Sequence, residues 1–276
     1  MQRFDLTHAR HDYIHCLAPG LFRSTRGVNS KSEKLDVVYE FGNGNRIEFS
    51  GPEVLGVTEL RVLQGLVAMA GPMATSFELP AKSVSSEGAN LREMLELRWD
   101  AAHQNAIAVK GSLRQLAKEI GFSNTRDTNT IRNSIEKLWK VSIISEINGH
   151  RSGFRLLANY NSNSRDGSLY VALNPLIANA VLGYGRYVHV SMDEVREIKN
   201  DVTRLIHQWM CGWMDIGKKN KVSLDTVINI IYPDSGLPST MGKRRSRVRS
   251  AVYELAEIGW GVGEYARGKF EIMRPR

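Results

Sequence analysis

Val248, Ala251, Val252, Leu255 and Ile258 recur at i, i+3, i+4, i+7 and i+10, which is the buried stripe of a helix. Lys243, Ser246, Arg247 and Ser250 fall on its other side, with Arg244, Arg245 and Arg249 flanking. Upstream, Leu224, Val227, Ile228 and Ile231 keep the same spacing from Ser223 until Pro233 stops the run. Downstream, "GVGEYARGKFEIM" alternates around a Gly-containing turn, as a hairpin does. The predicted order is short helix, turn, basic helix, two-stranded ribbon. That is a winged helix.

The plan occurs a second time, earlier in the chain. In "GSLRQLAKEIG", Leu113, Leu116, Ala117 and Ile120 carry the stripe, Ser112 with Gln115 fits a capping box, and Gly121 is placed to end the helix. "NTRDTNTIRNSIEKLWKV" follows, with Ile131, Ile135 and Leu138 on its buried side. "SEINGHRSGFRLL" then turns on Asn148-Gly149, a strong hairpin signal. Ser112-Leu113 overlays Ser223-Leu224, and "IRNSIEKL" overlays "VRSAVYEL". Two copies in register argue for a real internal repeat. The expected fold class is therefore α+β, with two tandem winged-helix domains, each a helix-turn-helix plus a β-hairpin wing.

Outside the copies, "LDVVYEFGNGNRIEF" reads as a hairpin and "VTELRVLQGLVAMAG" as a buried helix. The stretch from Gly71 to Asn90 is rich in Pro, Ser and Gly and reads as an exposed loop. "NYNSNSRDGS", residues 159–168, is polar and without period, so the domain boundary is expected there. "LYVALNPLIANAVL" and "VHVSMDEVREI" then open the second domain, and "NDVTRLIHQWMCGWMDIG" is a long helix with Leu205, Trp209, Met210 and Trp213 in the core. The expected organisation is a flexible N-terminal arm over 1–34, a first domain over 35–160 and a second over 161–276.

Length and composition leave this picture intact and charge sharpens it. The 276 residues suffice for two cored domains, and 42% hydrophobic with 24% charged residues is ordinary for a globular chain. A net charge of +8 points to a polyanionic partner. Cys16 and Cys211 are distant and form no Cys-x-x-Cys pair, which suits a reduced, cytoplasmic protein. No apolar run approaches the ~20 residues of a membrane span, so no membrane partner is expected.

A phosphate-binding loop needs four residues between its glycines and a Ser or Thr after the Lys. Gly236 and Gly242 are separated by five residues, and Lys243 is followed by Arg244. A nicking site needs a His-hydrophobic-His pair, yet "YVHVSM" has Tyr187 where the first His should stand and only His189 after it. No paired carboxylates stand out either. His8, His11, His15 and Cys16 have ligand-like spacings, but zinc sites usually draw on two such pairs spread over a small fold. The expectation is no enzyme, no catalytic residue, no cofactor and no metal.

DNA contact follows from the second helix of each copy, whose N-terminal side chains reach base edges in the major groove. In the first domain these are Arg126, Asn129, Thr130, Arg132 and Asn133. In the second they are Lys243, Arg244, Arg245, Arg247, Arg249 and Ser250. Arg suits guanine and Asn suits adenine. No acidic residue interrupts the basic run before Glu254. His150 with Arg151, and Arg267 with Lys269, stand at the two hairpin tips, in reach of phosphate or the minor groove. Two unlike modules in one chain predict an asymmetric site of roughly 20 bp.

The stretches "HDYIHCLAPGLFR", "RIEFSGPE", "LQGLVAMAGP", "VKGSLRQLAKEIG", "IEKLWKVSII", "LYVALNPLIA", "SMDEVR" and "STMGKRRSRVR" run in the same order as in a known family. On these the chain resembles, from about residue 10 to its end, the iteron-binding replication initiators (RepC) of IncQ-type broad-host-range plasmids. The resemblance implies binding to direct repeats at a plasmid's vegetative origin and help in opening an adjacent AT-rich segment. There the plasmid-encoded helicase and primase load, and these are the implied protein partners. Monomer and homodimer stay open. A winged-helix transcriptional regulator or autorepressor is the alternative; two dissimilar reading modules and no separate response domain favour the initiator.

Overall fold

The structure is a computed structural model and describes residues 4, 6–24, 33–71, 76–79, 106–124, 128–163, 165–234 and 238–276. The chain enters as strand β1 (His8–Asp12) and helix α1 (Tyr13–Leu17). Hairpin β2 (Leu35–Phe41) and β3 (Asn45–Gly51) leads to α2 (Val57–Met69), β4 (Ser76–Leu79), β5 (Ala106–Ser112), α3 (Leu113–Glu119) and α4 (Thr128–Trp139). Strands β6 (Ser142–Ile147), β7 (His150–Arg155), β8 (Leu157–Ser162) and β9 (Ser168–Leu173) follow. Then come α5 (Pro175–Leu182), β10 (Tyr187–Ser191), α6 (Met192–Glu197) and α7 (Asp201–Trp213). The chain closes with β11 (Lys219–Ser223), α8 (Leu224–Ile231), α9 (Pro238–Glu254), a short 3-10 turn (Leu255–Ile258), β12 (Gly261–Ala266) and β13 (Lys269–Met273). The fold is mixed, α with antiparallel β.

The helical stripes pack as their spacing predicts. Leu113, Leu116, Ala117 and Ile120 are buried in α3, Ile131, Ile135 and Leu138 in α4, and Val248, Ala251, Val252 and Leu255 in and after α9. Ser112 Oγ caps α3 by accepting the Gln115 N–H at 3.1 Å, and Ser223 Oγ caps α8 by accepting the Thr226 N–H at 3.0 Å. Gly121 adopts φ +71°, the left-handed conformation that ends a helix. Helix α2 is apolar nearly all round and therefore central. It packs on β1, α3, α4, α6 and α7, and its Gln64 donates to Gln208 of α7 at 2.6 Å.

Helix, strand, helix, helix and two strands recur in chain order, with β4, β6 and β7 interposed in the first run. The first run is α2, β5, α3, α4, β8, β9, and the second is α7, β11, α8, α9, β12, β13. Sheet orders are β4-β5-β9-β8 in the first and β11-β13-β12 in the second. In both, the strand before the capped helix pairs with the last strand of the hairpin. Ser112 lies opposite Ser168, and Ser223 opposite Lys269.

Three expectations are revised by pairing partners. The Asn148-Gly149 hairpin forms as read, with φ of 53° and 78°, but β6 pairs with β3 in a separate sheet, β2-β3-β6-β7. The polar stretch 159–168 is no linker. It holds the end of β8 and the turn into β9, so the first sheet runs past residue 161 to Leu173. Finally, residues 8–24 do not behave as an arm. Strand β1 pairs with β10, Ala9, His11, Ile14 and Cys16 are buried, and the Leu6 N–H donates to the buried Glu119 carboxylate at 3.1 Å. The physical reason is that β1 and α1 fill the space between the two runs, using histidines and an aspartate that carry no hydrophobic period. Of the Gly71–Asn90 stretch, β4 pairs with β5, and residues 72–75 and 80–90 lie outside the described residues.

Candidate nucleic-acid interface

Helix α9 buries Val248, Ala251 and Val252 against α7 and α8 and leaves Lys243, Arg245, Ser246, Arg247 and Ser250 exposed. Its basic residues are not equivalent. Arg244 is half-buried, its guanidinium 4.7 Å from the Tyr232 ring centre and 2.5 Å from an Asp234 carboxylate oxygen. Arg245 pairs with Asp225 at 2.9 Å on the surface. Among the described residues Lys243 and Arg247 make no ion pair. Arg247 lines a groove with Ser246, Ser250, Lys199 and Asn200, which the acidic Asp201 and Glu254 also line.

Arg249 is committed to the hairpin behind it. Its Nη1 donates to both Glu264 carboxylate oxygens at 2.9 Å. Glu264 also accepts the Tyr253 hydroxyl at 2.8 Å and, from the hairpin turn, the Gly268 N–H at 2.6 Å. The Gly268 N–H, then the Tyr253 hydroxyl and Arg249, hold this carboxyl below the usual carboxylate range. One carboxylate thus ties the middle of α9 to the turn that carries Arg267 and Lys269, both exposed.

The first run is less charged. Asn129, Thr130 and Asn133 are exposed on α4, whereas Arg132 is half-buried and donates to Asn129 Oδ1 at 3.3 Å. Arg126 lies outside the described residues. His150 and Arg151 are exposed at the β6–β7 tip, but Arg151 pairs with Glu146 at 3.3 Å, and the tip leans on β3 through the Asn148 N–H bond to Asn45 Oδ1 at 2.9 Å. That tip therefore belongs to the β2-β3-β6-β7 sheet, not to the repeated run.

Sequence reasoning missed Lys199 and Asn200 beside Arg247, the Glu264 tie, and the exposed Arg165 in the turn between β8 and β9. Asp166-Gly167 was a usable signal, since Asp-Gly is a hairpin dipeptide. The histidine-rich start folds into hydrogen bonds: His15 Nδ1 lies 2.5 Å from Asp12 Oδ1, and the Cys16 sulfur accepts from Gln208 at 2.9 Å. His189 is a strand residue of β10.

A second cluster lies between α6 and α7. His207 Nε2 is 2.5 Å from a Glu194 oxygen and 3.5 Å from the Cys211 sulfur, and Trp260 donates to the same Glu194 oxygen at 3.2 Å. Burial opposes a charge on His207, but Cys211 and Glu194 outweigh it and its pKa is pushed up to about 9. The cluster joins α6 to α7, and the ligand atoms of Glu194, His207 and Cys211 lie within 4.8 Å of one another, close enough to hold a metal ion. Among the described residues no helix is long and apolar enough to cross a membrane.

Fold and surface together define a mixed α/β protein that presents two polar helix faces, one of them strongly basic. The chain matches replication protein C (RepC) over residues 3–276 and belongs to that family. No individually curated protein matches the sequence. Among solved structures, domains 2-3 of RctB (residues 155–483) superpose with a TM-score of 0.53 at 11% identity, over 94% of this chain and 95% of that one, so the two share a fold. The Pi initiator protein, crystallised with iteron DNA, gives 0.42 at 13% identity over 100% of both chains.

Proposed function

We propose that this replication protein binds direct repeats (iterons) at a plasmid's vegetative origin as a two-module reader and so initiates replication. The observation that carries the reading is the repeated run of helix, strand, helix, helix and hairpin in a chain of the RepC family, with α4 and α9 as the exposed second helices. Each run has the order of a winged helix. The first module extends through β9 at Leu173 and the second spans 201–273. Base edges are read from α9 by Lys243, Arg247 and Ser250, with Arg244 and Arg245 released to DNA from their acidic partners. On α4 the readers are Asn129, Thr130, Arg132 and Asn133, with Arg126 just ahead of the helix. Arg249 acts by holding the hairpin that presents Arg267 and Lys269.

Binding, rather than chemistry, does the work. The protein acts in the cytoplasm, and repeat occupancy promotes opening of an adjacent AT-rich tract where helicase and primase load. DNase footprinting of the protein on its own plasmid origin, with permanganate probing of unpaired thymine, tests this reading. Protection of each direct repeat with reactive thymines nearby is the expected result. Protection of a lone inverted repeat without open thymines would indicate a regulator. No protection at any repeat would remove the assignment.

A further inference from the structure

We infer that the turn between β8 and β9, with Arg165–Ser168, is the DNA-contacting wing of the first module, and that its Arg165 holds a backbone phosphate of the bound duplex. The inference rests on the proposed origin-binding function. It displaces the β6–β7 tip, with His150 and Arg151, from that role.

Three correspondences carry it, the second continuing the ladder of the first. First, β9 takes the place of β13: it closes on β5 with Ser168 opposite Ser112, as Lys269 stands opposite Ser223. Second, the turn glycine of each hairpin receives the same bond. The Leu113 N–H donates to the Gly167 carbonyl at 3.2 Å, and the Leu224 N–H to the Gly268 carbonyl at 2.8 Å. Both glycines sit at positive φ, +73° and +71°. Each second-helix partner is thereby locked to a hairpin tip at its first residue. Third, each exposed helix stacks an aromatic edge on its own hairpin: Trp139 against Tyr160 at 5.8 Å and 72°, Tyr253 against Phe270 at 5.6 Å and 78°. Among the described residues the β6–β7 hairpin has no counterpart in the second module.

The turn is also built to hold a cation outward. Asn163 accepts the Arg165 N–H through Oδ1 at 2.8 Å and donates its amide to Asp166 at 3.1 Å. Asp166 accepts the Ser168 N–H at 2.8 Å, and the Gly167 N–H returns to the Asn163 carbonyl at 2.9 Å. The one acidic group of the turn is hydrogen-bonded to the Asn163 amide and the Ser168 N–H, and the Ser168 bonds hold its carboxyl below the ordinary range. Arg165 is exposed and makes no ion pair among the described residues. An exposed guanidinium with no ion pair can form a charge-assisted bond to phosphate without first breaking another. Arg151, by contrast, already faces Glu146.

The test measures affinity for the duplex protected in the footprint, and for a scrambled duplex, by fluorescence anisotropy across a salt series. Arg165→Ala is expected to weaken binding to both about 3- to 10-fold and to flatten the salt slope by about 0.9, the loss of one phosphate contact. Arg165→Lys should restore most of the affinity and Arg165→Glu should weaken it further, an order that a folding defect would not follow. Arg151→Ala should leave affinity and slope unchanged. Wild-type affinity and slope in Arg165→Ala, with Arg247→Ala and Arg267→Ala both weakened, would overturn the wing assignment and leave the origin-binding reading intact. A wild-type protein that does not distinguish the two duplexes would sink that reading and this assignment with it.

Discussion

Replacing a helical glycine by alanine should have opposite signs at two positions of this chain. Gly65 lies in α2, where a Cβ would meet Ile120 Cγ2 at 2.3 Å and Leu116 Cδ1 at 2.6 Å. Carbon contacts are ordinarily about 3.5–4.0 Å, so both neighbours would have to withdraw by roughly 1 Å. Neither has room, since Leu116 and Ile120 are fully buried and the Ile120 carbonyl is held by Arg61. Alanine gains about 1 kcal/mol in helix propensity over glycine, whereas overpacking a filled core costs about 1–3 kcal/mol and more when the contact is severe. The clash should win, leaving Gly65→Ala less stable by about 1–2 kcal/mol, or roughly 2–8 °C in Tm. Gly242, on the exposed face of α9, has nothing within 4 Å of the added carbon. There the propensity term acts alone, and Gly242→Ala should gain up to ~1 kcal/mol. Urea midpoints of both variants without DNA check this. Shifts of the same sign, or a stabilised Gly65→Ala, would refute the claimed closeness of α2 and α3.

Leu138 is fully buried in α4, and Leu138→Ala should cost about 2–5 kcal/mol in urea unfolding; an unchanged midpoint would show the α4 register to be wrong. His11 is buried and its pKa is lowered to about 4, by burial first and then by His15. Its folded pKa lies below the unfolded value, so its contribution is complete above about pH 6.5 and is lost as pH falls toward 4, at up to about 1.4 kcal/mol per unit. Urea midpoints between pH 7 and 4.5 should fall less steeply for His11→Gln than for wild type. His207 has the reverse sign: with its pKa pushed up to about 9, it supports the fold below about pH 6.5 and that support fades as pH rises through 9. Binding to the repeats should weaken with log salt at a slope near −5 to −9 if ~6–10 phosphates are contacted, and a slope near zero would remove DNA as the partner.

What could be read in the sequence is what depends on neighbours close in the chain. The stripes of α3, α4, α8 and α9, the Ser112 and Ser223 caps and the Gly121 stop are local, because helix burial and capping involve residues only a few positions apart. The repeat of the helix pair was legible for the same reason, and so were the exposed Lys243, Arg247, Asn129 and Asn133. Strand partners are not local. Asn148-Gly149 announced a hairpin, but only the pairing of β6 with β3, and of β5 with β9, decided which hairpin completes the first run. Residues 8–24 gave no period because their burial is supplied by β10, α2 and α7, far along the chain. Arg247 and Arg249 are the same residue type two positions apart. Tertiary structure separates them by setting Glu264 against one and leaving the other open, since a side chain's free charge depends on what the fold brings beside it.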